Sequence, residues 1–393
     1  MQDIPPLAEG SIAACRLCRR DLEKTSGRSI TATLACSLGT FLLMIPGNIL
    51  PLVQINLLGF REKNVIGDGI AGLWNHQWFV LAGLTAVLVV GIPFLRFALL
   101  SVTLGAIRLG RRPHWLGPAF RWAVWLDPWG MTDVFLLASA VGYYRLIHLS
   151  QAHVSIAMGG FCFMAAGFLT MLSRAALDRR TVWRILAPEH QLPANAPAIS
   201  CNTCDLVLPA SSEGRPCPRC RARLSARKTD ALPRTVALLV TAFILFFPAN
   251  ILPMEISYQL GTPKPYTIFT GVRELFESGL WPLGCLIFCT SILIPFGKIV
   301  AVGWCALSVL KGSRRHLVAK THVFRVVAEL GRWSKTDPFT IVFFVPLMNF
   351  GALASANAGW GATAFMLMTF VTMGASNTFD PRLMWDAAES SRQ

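Results

Sequence analysis

Long apolar stretches alternate with shorter polar ones along the chain, and the apolar stretches run to about the length a membrane crossing needs. Eight runs stand out, at 30–53, 78–107, 131–149, 154–173, 235–253, 280–310, 337–354 and 359–376. At about 1.5 Å per residue, some 20 apolar residues in a helix span the roughly 30 Å hydrocarbon layer of a bilayer. Each run is therefore expected to be a transmembrane helix, and the fold class all-α and polytopic. The first 29 residues are polar and carry Cys15, Cys18 and five Lys/Arg, so no cleavable signal peptide is expected ahead of the first span. Composition agrees with this reading: 53% of the 393 residues are hydrophobic and 15% are charged. A soluble domain of this size would not tolerate that balance.

A net charge of +15 would suit a nucleic-acid binder, but its distribution argues otherwise. With the N-terminus on the cytoplasmic side, eight spans return the C-terminus to the same side. The segments there (1–29, 108–130, 174–234, 311–336 and the tail) hold 29 of the 36 Lys/Arg. The opposite loops hold five, and Arg96 and Lys298 lie inside spans. This is the positive-inside asymmetry, and it places both termini in the cytoplasm. The basic charge reports topology and contact with anionic lipid, and no nucleic-acid partner is expected.

Compared with itself at an offset of 202 residues, the chain repeats. Pro46-Gly47-Asn48-Ile49-Leu50-Pro51 matches Pro248-Ala249-Asn250-Ile251-Leu252-Pro253, and Ile92-Pro93-Phe94 with Arg96 matches Ile294-Pro295-Phe296 with Lys298. Asp178, Arg180 and Trp183 match Asp380, Arg382 and Trp385, while Asp127-Pro128 matches Asp337-Pro338 at an offset of 210. An internal duplication is implied. Each copy holds four spans, an even number, so the copies are expected to be tandem parallel four-helix units rather than inverted repeats. The expected organisation is a partial ribbon at 1–29, a first unit at 30–184, a ribbon at 198–228 and a second unit at 233–386.

The strongest chemical motif separates the copies. Cys201-Asn202-Thr203-Cys204 and Cys217-Pro218-Arg219-Cys220 have the spacing of a four-cysteine zinc ribbon, a small β module. In the cytoplasm a disulfide is disfavoured, so structural Zn²⁺ is expected, with its shell filled and no position left open for catalysis. Cys15 and Cys18 lie 202 residues before Cys217 and Cys220 and correspond to the second knuckle of another ribbon. Its first knuckle would begin just ahead of Met1.

Arg96 and Lys298 sit mid-span, each three residues after a proline. A cation at that depth costs about 2.5–3.5 kcal/mol on insertion scales and needs a partner or water. Asp337 is the natural partner of Lys298 and Asp127 that of Arg96, and a pair of this kind can couple transport to a proton gradient. Asp337 also has the position of a helix N-cap before proline. The prolines of the P-x-N-I-L-P motifs (Pro46, Pro51, Pro248, Pro253) force an irregular helix exit, and Asn48 and Asn250 can satisfy the freed backbone groups. A helix stop is the plainer reading of these motifs, and a cavity lining the more specific one. No hydrolase, nucleotide-binding or HExxH pattern stands in a suitable context, and no enzyme is expected.

Taken together, a CxxC module before each four-span unit, the P-x-N-I-L-P signatures at 46–51 and 248–253 and the Asp-Pro pairs at 127 and 337 resemble the paraquat-inducible protein A family. The resemblance covers nearly the whole chain and departs only in the missing first knuckle. It implies a bacterial inner-membrane protein working with an MCE-domain partner that forms a periplasmic tunnel, and passing membrane lipids to or from it. The competing class is a non-transporting scaffold or stress-linked regulator that recruits that partner.

Overall fold

The computed structural model describes residues 11–390 except 15–20, 25–29, 58–59, 131, 133–135, 137–138, 141–142, 144–152, 188–196, 260–261, 314 and 331–353. Most of the third expected span, all but the last residue of the seventh, Cys15, Cys18 and Asp337 lie outside the described residues.

Strands β1 (Ile12–Ala14) and β2 (Asp21–Lys24) pair antiparallel ahead of helix α1 (Ile30–Ile49). A hairpin of β3 (Val53–Leu57) and β4 (Phe60–Asn64) leads to the short helix α2 (Ile66–Asn75) and the long helix α3 (Phe79–Arg108). Then come α4 (Leu116–Leu126), β5 (His153–Ile156), α5 (Met158–Ala176) and α6 (Arg179–Leu186). The cysteine module carries β6 (Ala198–Ser200) and β7 (Val207–Pro209). After it the order recurs: α7 (Ala231–Ile251), β8 (Glu255–Gln259), β9 (Thr262–Tyr266), α8 (Ile268–Glu277) and α9 (Trp281–Leu310). The chain closes with α10 (Leu317–Leu330), β10 (Ala354–Ala358), α11 (Trp360–Thr378) and α12 (Arg382–Ser390).

Among the described residues, α1, α3, α5, α7 and α9 are long and apolar enough to cross a membrane. Helix α11 has 19 residues but carries Thr363, Thr369, Thr372, Ser376 and Asn377, which lower its apolarity. Its small and polar face packs on α7, where Thr235 and Thr378 share a hydroxyl hydrogen bond of 3.1 Å. Small residues let two helices approach closely when no water is present to drive them together.

Several expected spans include residues that turn out to be strand. The run at 30–53 ends as a helix at Ile49, that at 154–173 starts at Met158, and that at 359–376 starts at Trp360. Val53 and residues 154–156, trimmed from the first two of these runs, and Ala354, the last residue of the run at 337–354, belong to two three-stranded antiparallel sheets, ordered β4-β3-β5 and β10-β8-β9.

The P-x-N-I-L-P motifs explain where the helices stop. Pro46 and Pro248 sit inside α1 and α7, and each helix ends three residues later. Leu252, held extended at φ −75° and ψ 150°, precedes Pro253, as the proline ring demands. The Asn250 amide donates to Phe246 O at 2.7 Å. The carbonyls beyond each helix end are taken by the helix that follows the sheet: Gly159 N donates to Pro51 O at 3.0 Å, and Gly361 N to Pro253 O at 2.9 Å. These glycines are required by space. A Cβ on Gly159 would lie 2.4 Å from Leu50 O, and one on Gly361 2.4 Å from Leu252 O. Gly361→Ala should therefore lower stability by about 1–3 kcal/mol in a thermal melt, the usual range for overpacking. Gly297→Ala, with nothing within 4 Å of its Cβ, should be neutral. Equal melting of the two variants would overturn this account.

Pro93 and Pro295 have a parallel effect. Each lacks the N–H that would close a helical turn, and the turns before them widen into π-helix at Ala86–Gly91 and Cys289–Leu293. In the second, Thr290 and Ser291 hydroxyls back-bond to Leu286 O at 3.0 Å and Ile287 O at 2.6 Å, covering carbonyls the widened turn leaves exposed.

The described chain resolves into two compact units that cut across the expected domain edges. Unit 1 comprises 1–45, 90–133 and 164–229, and unit 2 comprises 46–89, 134–163 and 230–393. Unit 1 has a core of Leu100, Leu104, Phe120 and Trp183 with the four ribbon cysteines, and unit 2 a core around Val302, Cys305, Phe324 and Phe379.

Candidate functional site

The cysteine module is built from two tight turns. In the first, Cys201 N donates to Leu206 O at 2.9 Å and Asp205 N to Cys201 O at 3.0 Å; in the second, Cys217 N donates to Ala222 O and Arg221 N to Cys217 O, both at 2.8 Å. Each turn closes on a residue with left-handed backbone, Asp205 at φ 55° and Arg221 at φ 57°. The turns bring Cys201 Sγ to 3.6 Å from Cys220 Sγ and Cys204 Sγ to 3.6 Å from Cys217 Sγ, with all four within 4.8 Å of one another. An ion with sulfur at about 2.3 Å in a tetrahedron sets sulfur pairs roughly 3.8 Å apart. The four buried thiols can hold a metal ion, and the spacing suits zinc. Contact with Cys204 lowers the Cys201 thiol to about 6, and contact with Cys201 lowers Cys217. Contact with Cys201 raises both Cys204 and Cys220. A divalent ion bound here requires thiolates and displaces the protons of the four thiols.

The module is part of the core of unit 1, not a loose appendage. Its cysteines share a cluster with Leu100 and Leu104 of α3, Phe120 and Ala123 of α4, and Val182 and Trp183 of α6. Phe120 and Trp183 meet edge to face at 4.8 Å. Arg219, inside the second knuckle and 6% exposed, donates to the carbonyls of Cys204 and of Ala187, the residue that ends α6. A Cβ on Gly117 would strike Arg219 O, so only glycine lets α4 lie so close to the knuckle. Cys15 and Cys18 fall outside the described residues, but the strands around them are informative. Ala14 pairs with Asp21, and Pro216 bridges Arg223, the same register 202 residues later.

Arg96 and Asp127 form an ion pair at 2.7 Å, with side chains 3% and 8% exposed. Arg174 Nε donates to the same carboxylate oxygen at 2.9 Å, and Arg179 Nη2 to the other at 2.8 Å. Arg174 Nη2 also reaches Asp127 O and Gly130 O. Burial alone would raise the Asp127 carboxyl, but the charges of Arg96, Arg174 and Arg179 outweigh it and hold the group below its ordinary 3.8. A carboxylate held by three guanidinium groups stays ionised at neutral pH, which suits holding helices together and not exchanging a proton.

Lys298 is set differently. It lies on α9 after the π-helical turn, is 3% exposed, and its ammonium donates to Thr372 Oγ1 of α11 at 3.4 Å. Thr372 in turn donates to Thr369 O at 2.9 Å. Asp337 lies outside the described residues, so the arrangement around Lys298 is described from α9 and α11 alone. The Pro46, Asn48, Pro51, Pro248, Asn250 and Pro253 positions gather at helix ends beside the sheets, as set out above. Asn250 Oδ1 is buried without a hydrogen bond among the described residues.

Arg174, Arg179 and Arg219 carry much of this geometry, and sequence reasoning passed over all three. Arg179 adjoins the repeated Asp178 and Arg180, and Arg219 lies within the knuckle itself, so each stood next to a motif already singled out.

A model of the family described as paraquat-inducible protein A matches the chain twice, over residues 30–187 and 232–389. The intermembrane transport protein PqiA of Escherichia coli strain K12 is 30% identical over 399 residues, covering 99% of this chain and 94% of that protein. The lipophilic envelope-spanning tunnel protein A of the same strain is 29% identical, covering 98% of this chain and 89% of that protein. A probable intermembrane transport protein of Haemophilus influenzae is 26% identical, with 95% and 90% covered. No solved structure matches the chain. With both halves matched and relatives aligned along nearly its whole length, the chain belongs to the paraquat-inducible protein A family.

Proposed function

We propose that this chain is an integral inner-membrane subunit of an intermembrane lipid transport system, passing lipids between that membrane and a periplasmic tunnel formed by an MCE-domain partner. The full-length similarity to proteins named for intermembrane transport and for an envelope-spanning tunnel carries the reading. In it, each segment matched by the family model is a four-span unit, the two units lie parallel, both termini face the cytoplasm, and the cysteine module holds structural zinc. Elements recurring 202 residues apart, such as α2 from Ile66 and α8 from Ile268, support the duplication.

The two copies then divide the work. Asp127, locked by three arginines, makes the first copy a rigid support. The second copy keeps a buried lysine with a neutral hydroxyl partner among the described residues, and Lys298, paired with Asp337, is the candidate for proton coupling. A scaffold gains nothing from burying an ammonium, which favours transport over pure recruitment. The reading is tested by reconstituting the chain with its tunnel partner and a photo-crosslinkable lipid. Labelled lipid should accumulate on the partner only when this chain is present, and less of it once an ionophore collapses the proton gradient. Equal labelling with and without the chain would overturn the proposal.

A further inference from the structure

The cysteine module buries a cation beside its ligands. Arg219, between Pro218 and Cys220 in the second knuckle, is 6% exposed. Its guanidinium donates to two neutral acceptors, Cys204 O at 3.5 Å and Ala187 O, while Nε is buried without a hydrogen bond. Among the described residues no carboxylate meets it. The acids of the module are placed elsewhere: Glu213 Oε1 accepts from Ala226 N, and Asp205 is exposed at the first turn. A guanidinium does not shed its proton, so burying one without a counter-charge is costly.

The counter-charge lies in what the module can hold. A divalent ion bound by four thiolates carries two net negative charges. Each sulfur also receives a backbone N–H: Cys204 N turns to Cys201, Leu206 N to Cys204, Cys220 N to Cys217 and Ala222 N to Cys220. Those dipoles steady the sulfurs but leave the net charge unchanged, in a core shared with Leu206, Leu208 and Leu224. One guanidinium halves it. The second acceptor of Arg219 is negative in character too, because Ala187 ends α6, where helix carbonyls gather partial negative charge.

We infer that Arg219 is a positioning residue for the metal centre: its charge offsets that of a divalent ion held by four thiolates, and its planar fork ties the first knuckle to the end of α6. The inference rests on the module's holding a divalent metal and is independent of transport.

The test uses the full chain in detergent, loaded with Zn²⁺ for chelator competition and with Co²⁺ for absorption spectroscopy. Arg219→Gln keeps a hydrogen-bond donor and loses the charge. It should release Zn²⁺ about 10–100-fold more readily than wild type, the usual scale for groups that support metal ligands. Arg219→Lys keeps the charge and loses the fork, and should recover most of that loss. The Co²⁺ spectrum should report four sulfur ligands in every variant; a missing sulfur in Arg219→Gln would mean that the residue only shapes the knuckle, and would overturn the charge role. Equal retention by Arg219→Gln and wild type would overturn it too. So would a loss in Arg219→Lys as deep as in Arg219→Gln, which leaves a hydrogen-bonding bridge alone. Should Arg219→Gln fail to fold, Arg219→Lys decides by the same reading. Glu189, two residues beyond Ala187, lies outside the described residues. Glu189→Gln should leave Zn²⁺ retention unchanged, and a loss matching that of Arg219→Gln would make the two a structural ion pair and overturn the role. Wild type that holds no metal would overturn the metal centre itself, and not this role alone.

Discussion

Stripping the metal from the ribbon, by Cys204→Ser or by a chelator, should collapse the hydrophobic core of unit 1 and not merely loosen an appendage. Metal content falls to background in the variant. The four cysteines are at most 3% exposed and lie against Leu100, Leu104, Phe120 and Trp183, so losing the ion leaves thiolates facing an apolar core. Structural zinc in small modules carries about 10–16 kcal/mol of apparent binding energy, far more than a three-residue strand pair could replace. Unfolding of the knuckles also releases Arg219 from the carbonyl that ends α6, and α6 carries Arg179 to Asp127. Alkylation of the four cysteines and proteolysis between α6 and α7 should both rise sharply. Acid should act in the same direction, because metal binding requires thiolates: stability is present at neutral pH and lost as falling pH protonates the cysteines. Freshly purified protein with no bound metal, or unchanged protection of unit 1 after its removal, would sink the prediction.

What could be read from the residues alone follows from the range of the forces involved. Membrane-length helices are local features: length and apolarity show in a window of 20 residues, and so do the proline-forced ends at Ile49 and Ile251. The ribbon was legible because metal geometry imposes a fixed cysteine spacing. The Arg96–Asp127 pair follows from one anomaly, a cation inside an apolar run beside a repeated Asp-Pro. The sheets were not legible. β3 and β8 are short, they adjoin helices, and they find β5 and β10 only after about a hundred intervening residues, as in the pairing of Val53 with Ile156. Nothing in five residues such as Val53–Leu57 separates the end of an apolar helix from the start of a strand. Arg174 and Arg179 reach Asp127 across 47 and 52 residues, and only the fold brings them there. The docking of the ribbon is of the same kind. Gly117 carries no local sign that it must clear Arg219 O.

Replacing Lys298 should abolish transport while leaving the fold intact. The ammonium lies twelve residues before Leu310 at the end of α9, about 18 Å along the helix axis, too deep to reach the headgroups. Its hydrogen bond to Thr372 Oγ1, at 3.4 Å, is long and joins it to a neutral group. Among the described residues, a pairing of that kind returns little of the cost of burying a charge. Lys298→Met combined with Asp337→Asn, which removes both charges of the proposed pair, is therefore expected to melt at the wild-type temperature or higher; replacing buried ionic pairs by uncharged groups of similar size is often neutral or stabilising by about 1–4 kcal/mol. Transport, measured by complementation of a transport-deficient strain with protein levels followed alongside, should drop to background in Lys298→Ala. Arginine at this position should not restore it fully, because a guanidinium keeps its proton across the physiological range. Thr372→Val, which removes the described partner and leaves the charge, should give an intermediate loss. Asp337→Asn should behave like Lys298→Ala if the two exchange a proton, and like a weakened helix cap if they do not. Normal complementation by both Lys298→Ala and Asp337→Ala would reduce the lysine to a topological signal and remove proton coupling from the mechanism.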